Sequence, residues 1–236
     1  DFRPQGASEV RIAARAFITM RERIKRQIRT RTDMLSGISH DLRTPLTRMK
    51  LQLAMLGDSD ATRELESDVK QMEHMIAEYL DFARGEGGEE AVSVQLHNLL
   101  SDVAADYART GQKVHFVQAE AIDIELKPVS FRRMLHNLLD NALRYAGAPT
   151  LSYYRDGRTV KILIDDAGAG IPKDMREEVF RPFARLDESR NSKTGGVGLG
   201  LTIARDIVLA HGGSIQLADS PQGGLRVIIL LPLGKN

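Results

Sequence analysis

A long heptad pattern near the start of the chain constrains its fold more than any other feature. Apolar side chains recur at alternating steps of four and three residues, and two arginines interrupt the seam. The seam residues are Val10, Ala14, Phe17, Arg21, Ile24, Ile28, Arg31, Leu35, Ile38 and Leu42. This repeat predicts one helix from about residue 8 to residue 56, and so long a helix needs a partner to bury its apolar stripe.

A second helical pattern follows a polar turn. Residues 57–60 read Gly-Asp-Ser-Asp and predict the turn, after which apolar positions recur from Leu65 to Tyr79, with the helix ending near Ala83. Two antiparallel helices provide only half of a core. We therefore expect two hairpins, related by a two-fold axis, to form a four-helix bundle, so that the protein is a homodimer.

The polar, glycine-rich residues 85–90 predict a linker, beyond which the pattern changes to shorter mixed elements. The predicted helices span residues 96–109, 128–145 and 199–211, and the predicted strands span 113–117, 151–155, 159–164, 214–217 and 226–231. This order of elements predicts an α/β sandwich with a mixed sheet, so the fold class is a helical hairpin followed by an α/β domain.

Composition excludes several classes of protein. A net charge of +1 gives no general attraction to nucleic acid, and the absence of cysteine excludes a disulfide scaffold or a thiolate metal site. No apolar run approaches the roughly 20 residues of a membrane span. The chain begins with Asp1 and carries no signal peptide, so we expect a fragment of something longer. The basic stretch from Arg11 to Arg31 fits either a solvated helix face or a juxtamembrane position.

The octamer at residues 39–46, Ser-His-Asp-Leu-Arg-Thr-Pro-Leu, lies inside the first predicted helix. His40 and Thr44 are four residues apart and share a helix face, with Asp41 beside them. An imidazole on the water-facing side with a carboxylate neighbour suits nucleophilic chemistry, because the acid can fix the tautomer. Pro45 predicts a local bend, either tolerated or used to let the bundle change shape.

Three clusters in the second half can carry nucleotide chemistry. Asn137 and Asn141 share a helix face and offer amide oxygens to a hard cation such as Mg²⁺, although exposed helix asparagines are also common. Asp166 follows a strand, where its carboxylate can accept a hydrogen bond from an exocyclic amine. Glycines 168 and 170 let the backbone approach a flat ring. Alone, this Asp-x-Gly-x-Gly pattern is weak evidence.

The third cluster, residues 195–201 (Gly-Gly-Val-Gly-Leu-Gly-Leu), opens a helix whose backbone N–H groups can bind phosphate. It lacks the Lys-Ser/Thr of a P-loop, and no strand directly precedes it, so neither the Walker nor the Rossmann pattern fits.

Residues 39–46 resemble the phosphoacceptor (H) box of bacterial sensor histidine kinases, in a form most similar to the EnvZ type. The three clusters resemble, in order, the N box and the two glycine boxes of the GHKL (Bergerat) ATPases, and residues 181–183 (Arg-Pro-Phe) resemble the F box. Residues 6–10 and 16–20 resemble the last helix of a HAMP signalling module. The family often has polar residues or proline where Ala167 and Ala169 stand.

This resemblance implies an ATP-dependent protein-histidine kinase that requires Mg²⁺. His40 would attack the γ-phosphate, Asp41 would act as base or orient the imidazole, and the phosphoryl group would pass to an aspartate of a response-regulator receiver domain. Thr44 would orient water for dephosphorylation of that regulator. Asp166 would bind the adenine amine and Tyr145 would pack near the ring. Asn141, helped by Asn137, would hold the metal.

Arg144 and the amides of residues 198–201 would meet the phosphates, and residues 172–197 would form a mobile lid carrying Arg185 and Arg190. The nucleotide-binding residues implied in this way are Asn137, Asn141, Arg144, Tyr145, Asp166, Gly168, Gly170, Ile171, Arg185, Gly196, Gly198, Leu199, Gly200 and Leu201.

The expected domain organisation is the end of a HAMP module at 1–28, a dimerisation and phosphotransfer hairpin at 29–84, a linker at 85–92 and a catalytic ATP-binding domain at 93–236. We expect the cytoplasmic portion of an inner-membrane protein, attached only through a transmembrane part outside this sequence. Two alternatives stay open. One is a dimeric signalling scaffold with a nucleotide-sensing pocket. The other is a chaperone- or gyrase-type ATPase, although those carry a catalytic Glu where Asn137 stands and lack the H box.

Overall fold

The computed structural model of the chain describes residues 8–57, 59–84, 89–117, 119–184 and 198–234. The chain divides into two compact units, Asp1–Gly85 and Glu86–Asn236, which we call the hairpin unit and the α/β unit. Among the described residues, no helix is both long enough and apolar enough to cross a bilayer.

The hairpin unit consists of two helices, α1 (Ser8–Met55) and α2 (Asp60–Arg84). The Ser59 hydroxyl accepts a hydrogen bond from the Thr62 N–H at 3.1 Å, so the predicted turn also supplies the N-cap of α2. A small core joins the helices: Leu46 and Leu53 of α1 pack with Val69 of α2, and Ile76 packs against this cluster. The long first helix and the turn predicted from the sequence are confirmed.

Among the seam residues whose side chains the structure describes, Val10, Phe17 and Leu42 are exposed in a single hairpin, Leu42 by 44% of its surface. Leu46 and Leu53 are buried and lie seven residues apart, one position beyond 45 and 52, where the seam would continue. Near the closed end of the hairpin, α1 therefore packs on α2 through side chains beside the seam rather than through the seam itself.

The α/β unit contains a five-stranded sheet, a two-stranded sheet and three helices. The strands are β1 (Val92–Gln95), β2 (His115–Phe116), β3 (Asp123–Leu126), β4 (Thr150–Asp156), β5 (Thr159–Asp165), β6 (Ser214–Asp219) and β7 (Leu225–Pro232). The helices are α3 (Leu96–Arg109), α4 (Pro128–Ala146) and α5 (Gly200–Ala210). The large sheet has the order β2-β4-β5-β7-β6, with β2 parallel to β4 and the other pairs antiparallel. The predicted mixed sheet is confirmed.

The core of this unit follows from the two-residue period of its central strands. Val160, Ile162 and Ile164 of β5 are buried, and alternate residues of β7 are buried beside them. Each helix contributes an apolar face to this core, with Leu100 in α3 and Phe131 in α4 fully buried. The opposite face of the sheet carries polar side chains between partly exposed apolar ones.

Three local features differ from the sequence predictions. The strand predicted at 113–117 has only two residues, His115–Phe116. Strands β1 and β3 are absent from the sequence prediction and pair antiparallel, so Val92, the last residue of the predicted linker, lies in a strand opposite Leu126. Residues 173–180, assigned to an irregular lid, form two 3₁₀ turns with Val179 and Phe180 buried. Residues 185–197 of the predicted lid lie outside the described residues.

Candidate functional site

The H-box residues lie within one uninterrupted helix. His40, Asp41 and Thr44 all belong to α1, which continues through Pro45, and the side chain of His40 lies outside the described part of the structure. Asp41 and Thr44 are exposed. Because the helix is continuous, positions 40 and 44 are one turn apart on the same face.

At the C-terminal end of the H box, α1 lines an open groove. The groove has a volume of about 460 Å³ and is lined by Arg43, Thr44, Thr47, Arg48 and Leu51. Thr47 donates its hydroxyl hydrogen bond to the Arg43 carbonyl at 2.9 Å, a back-bond that favours helix bending close to Pro45. Cationic and hydroxyl groups therefore surround a surface next to Thr44.

The carboxylate of Asp166 is held in a fixed orientation at the end of β5. Its Oδ1 accepts hydrogen bonds from the Gly168 and Leu225 N–H groups, both at 2.9 Å, and its own N–H donates to the Leu225 carbonyl at 3.0 Å. Within the described residues, Oδ2 receives no hydrogen bond from the chain. Asp166 is 7% exposed, so a ligand amine reaching Oδ2 would meet a pre-oriented, largely dry acceptor.

Two glycines make this arrangement possible by close packing. A Cβ at position 168 would lie 3.0 Å from the Cβ of Ala146 and 3.2 Å from the Tyr145 carbonyl oxygen, at the end of α4. A Cβ at position 224 would lie only 2.3 Å from Oδ1 of Asp166 and 2.4 Å from the Gly168 nitrogen. No side chain fits at position 224 without displacing the carboxylate.

The predicted ligands on α4 differ in burial. Asn137 and Asn141 are partly buried, while Arg144 and Tyr145 are exposed, Tyr145 by 61% of its surface. The Asn137 Nδ2 atom is buried and finds no hydrogen-bond partner among the described residues. An unsatisfied buried amide of this kind indicates that a ligand completes its bonding.

The start of α5 lies against Asn137. A Cβ at Gly200 would be 3.8 Å from the backbone carbonyl oxygen of Asn137 and 3.9 Å from the Asn137 Cβ. Gly198 has φ +77°, a left-handed conformation, and its carbonyl accepts a hydrogen bond from the Phe183 N–H at 3.0 Å. Leu199 is fully buried and fixes the position of the helix, whose first N–H groups have no acceptor within the helix.

The structure thus brings the end of α4, the Asp166 turn and the start of α5 together. Gly170 adopts φ +71° beside the Gly224 carbonyl, and the carbonyl of Ile171 accepts a hydrogen bond from the Arg176 guanidinium at 3.0 Å. Arg176 also pairs with Asp219. Arg185, Arg190 and Gly196 lie outside the described residues.

Sequence reasoning missed several residues that shape this region. Gly224 stands in a Gly-Gly turn near the end of the chain, and a glycine pair before an apolar strand was the available signal. Asp165 was missed as well. It is buried, and both its oxygens are bonded by Arg226 in the neighbouring strand, at 2.7 and 2.8 Å. The pKa of Arg226 lies above its ordinary value, chiefly because of this hydrogen bond.

Three histidines of the α/β unit make structural contacts. His97 contacts the Tyr153 hydroxyl, and His211 accepts a hydrogen bond from the Lys127 N–H at 3.0 Å. His136 contacts the Tyr107 hydroxyl. Burial, followed by the hydrogen bond to Asp140, raises the pKa of Tyr107 far above its ordinary value, so this hydroxyl stays protonated. Among the described residues, no group of three His, Cys, Asp or Glu could hold a metal ion.

The donor set fits a nucleotide-bound Mg²⁺ and not a dedicated metal centre. Mg²⁺ retains several waters and takes few protein ligands when phosphates supply the others. The amides of Asn137 and Asn141 are neutral, so they suit an ion whose charge the phosphates already balance. The orphaned Asn137 amide can offer its oxygen to the metal or its nitrogen to a phosphate.

Comparison with known proteins gives the same two-part organisation. Residues 126–235 match the family of histidine kinase-, DNA gyrase B- and HSP90-like ATPases, and residues 30–88 match the His Kinase A (phospho-acceptor) domain. The sensor histidine kinase GtrS of Pseudomonas aeruginosa is 39% identical over 229 residues, which are 97% of this chain and 47% of GtrS.

The sensor histidine kinase CpxA of Escherichia coli is 32% identical over 246 residues, covering 98% of this chain and 53% of CpxA. The ATP binding domain of PrrB from Mycobacterium tuberculosis is 30% identical, with a TM-score of 0.53, covering 62% of this chain and 99% of that domain. This chain belongs to the bacterial sensor histidine kinase family. As a histidine kinase chain, it spans about half the length of these two curated relatives.

Proposed function

We propose that the chain is the kinase core of a two-component sensor: the α/β unit binds ATP and His40 of the hairpin unit accepts its γ-phosphoryl group. The observation that carries this proposal is the pre-oriented Asp166 carboxylate, whose Oδ1 is occupied by two backbone N–H groups. Such a carboxylate would accept the exocyclic amine of adenine on Oδ2 and reject bases that present a carbonyl there.

The rest of the nucleotide would follow the surface formed by α4 and α5. Tyr145 would lie against the adenine ring, and Arg144 together with the N–H groups at the start of α5 would bind phosphate oxygens. Asn141, assisted by Asn137, would hold Mg²⁺, which when bound offsets the charge of the phosphates. The buried, unsatisfied amide of Asn137 supports this arrangement.

The chemical step would be a phosphoryl transfer between the two units. An imidazole nitrogen of His40 forms a bond to the γ-phosphorus, the bond to the bridging oxygen breaks, and ADP leaves. Asp41, next to His40 on α1, would accept the ring proton or hold the reactive tautomer. The phosphoryl group would then pass to an aspartate carboxylate of a response-regulator receiver domain.

Two features of the hairpin unit support its expected partners. The exposed seam residues Val10, Phe17 and Leu42 would be covered in a homodimeric four-helix bundle. The groove beside Thr44 presents Arg43 and Arg48, which suit a surface rich in carboxylates such as a receiver domain. The HAMP-like start of α1 and the placement of the chain on the cytoplasmic side of the inner membrane stay predictions.

The test is incubation with γ-labelled ATP and Mg²⁺. We expect an acid-labile, base-stable label on the wild type and on His115→Gln, a control at an exposed histidine, and none on His40→Gln. Label that persists in His40→Gln would mean that a residue other than His40 accepts the phosphoryl group. Absence of label in the wild type, with ATP bound, would favour the signalling scaffold.

The phosphatase reaction depends on Thr44 in this proposal. Replacing the hydroxyl in Thr44→Ala should slow dephosphorylation of the phosphorylated regulator by about tenfold or more, because a single positioning hydrogen bond is lost, while labelling of His40 continues. Thr47→Ala, which removes a hydroxyl three residues further along α1, is the matched control. An unchanged dephosphorylation rate in Thr44→Ala would contradict the assignment.

A further inference from the structure

The ion pair between Asp165 and Arg226 lies directly behind the proposed adenine contact. Asp165 is the last residue of β5 and is only 5% exposed, and Arg226 is its register partner in β7. Arg226 donates from Nε to Oδ1 at 2.7 Å and from Nη2 to Oδ2 at 2.8 Å. This bidentate geometry holds two backbones at a defined distance and angle more strictly than a single ion contact does.

The residues next to this ion pair, Asp166 and Leu225, are hydrogen-bonded to each other on the side of the proposed pocket. Asp166 follows Asp165, and Leu225 precedes Arg226. The Leu225 N–H is one of the two groups that hold Oδ1 of Asp166, and the Leu225 carbonyl accepts the Asp166 N–H. Any shift of β7 against β5 at this end would therefore rotate or release the Asp166 carboxylate.

The residue before Leu225 is also tightly packed. Gly224 packs so closely that its α-hydrogens fill the space beside Asp166 and Gly168. Strand ends ordinarily fray, and β7 begins here after a five-residue turn from β6. Asp165 is buried while Arg226 is partly exposed, so holding this carboxylate at a strand end costs desolvation that the bond to Arg226 must offset.

We propose that Asp165 and Arg226 are positioning residues, whose bidentate pair fixes the end of β7 so that the Leu225 N–H orients Asp166 towards the exocyclic amine of the nucleotide base. This inference rests on the proposed function, because it assumes that Asp166 reads that amine. The pair touches neither nucleotide nor metal. The pair affects the choice of base through the backbones of Asp166 and Leu225, the residues next to it on β5 and β7.

The readout is the ratio of affinities for ATP and inosine triphosphate, measured by calorimetric titration on the full chain. Inosine triphosphate presents a carbonyl oxygen where ATP has the amine. Arg226→Met should lower the ratio by about fivefold or more, since the energy of about one oriented hydrogen bond is lost. Arg226→Lys, which keeps the charge but not the bidentate geometry, should give an intermediate ratio.

A matched control lies on the same strand. Lys161 pairs with Asp156 at 2.6 Å at the far end of β5, so Lys161→Met removes an ion pair without touching the pocket and should keep the wild-type ratio. If Arg226→Met does not fold because Asp165 is left unpaired, the double variant Asp165→Leu with Arg226→Met removes both charges and should show the same fall.

The Asp166→Asn variant distinguishes failure of the proposed adenine contact from failure of the proposed positioning role of Asp165 and Arg226. If Asp166→Asn loses the selectivity while the folded Arg226 variants keep it, the positioning role is wrong and the proposed function stands. If Asp166→Asn binds both nucleotides with the wild-type ratio, the adenine contact is wrong and the positioning role falls with it. Equal weakening of both nucleotides in Arg226→Met, at an unchanged ratio, would also overturn the inference.

Discussion

The two units of this chain bury their apolar residues to very different degrees. The hairpin unit has a core of Leu46, Leu53 and Val69, joined by Ile76, and leaves large apolar side chains such as Phe17 and Met55 exposed. The α/β unit buries apolar residues from its three described helices and from the four strands β3, β4, β5 and β7. A helix pair with as few buried contacts as the described side chains show is only marginally stable by itself.

This difference matches the work proposed for each unit. A nucleotide pocket needs fixed donors and acceptors, and the α/β unit provides them with Asp166 held by two backbone N–H groups. A phosphoacceptor must meet first the ATP-binding unit and then a regulator. A weakly packed hairpin completed by a second copy suits that role, because its helices can shift at low cost.

The largest expected effect comes from breaking the small core. Leu46→Ala removes one of its three buried side chains and should cost about 2–5 kcal/mol of hairpin stability. Thermal unfolding of the full chain should then show an early transition for the hairpin, with the ATP-binding transition unchanged. Leu56→Ala, at an exposed position near the turn, should stay within about 0.5 kcal/mol of wild type. Equal effects of both variants would contradict the small core.

The next effect falls on the α/β unit. Gly224→Ala places a methyl group 2.3 Å from the Asp166 carboxylate oxygen, so overpacking should cost about 1–3 kcal/mol and ATP affinity should fall at least about tenfold. Gly223→Ala is the matched control, because its φ is +93° but no atom lies within 4 Å of the added group. It should show only backbone strain of about 1–2 kcal/mol, with ATP affinity retained. Calorimetric titration checks both.

The smallest expected effect concerns the cap that the linker residue Glu89 provides for α4, near the start of the α/β unit. Glu89 accepts hydrogen bonds from the Ser130 N–H at 2.9 Å and the Val129 N–H at 2.6 Å, and so caps α4 from the linker side. Glu89→Gln should cost about 1 kcal/mol at neutral pH. The exposed neighbour variant Glu90→Gln should cost less than about 0.5 kcal/mol.

The pH dependence of this cap has a defined sign. Burial alone would raise the pKa of Glu89, but the hydrogen bonds from Ser130 and Val129 and the charge of Lys127 lower it below its ordinary 4.5. The stabilisation is therefore present above that value and is lost as the pH falls through the lowered pKa. Urea unfolding at several pH values should show wild type and Glu89→Gln converging in acid. A constant difference between them would contradict the cap.

The helices of this fold could be predicted from the sequence because their signals are local. Residues 128–145 were assigned to a helix with Pro128 in its first turn, and α4 spans Pro128–Ala146. Strands β1 and β3 were missed because each has four residues and their pairing, Val92 with Leu126, spans the whole of α3. The spacing of Val92 and Val94 and of Ile124 and Leu126 was the only local signal.

For the candidate site, the motif residues could be predicted from the sequence, but the residues that hold them in position could not. Asp166 stands in a recognisable glycine-rich turn, whereas its orientation depends on the Leu225 N–H, 59 residues away in the chain. Arg226 looks like an ordinary strand residue, and only the β5–β7 register places it on Asp165. Long-range register depends on the packing of the whole sheet and leaves no local pattern.

The central claim is that one unit binds the nucleotide and the other accepts the phosphate. Titrating ATP and Mg²⁺ into the chain carrying His40→Gln tests it directly, because this variant lacks the acceptor but keeps every proposed contact to ATP. We predict wild-type ATP affinity, within about twofold, because none of the proposed contacts to the nucleotide comes from His40. A loss of affinity of about tenfold or more would contradict the account, because His40 would then belong to the nucleotide site itself.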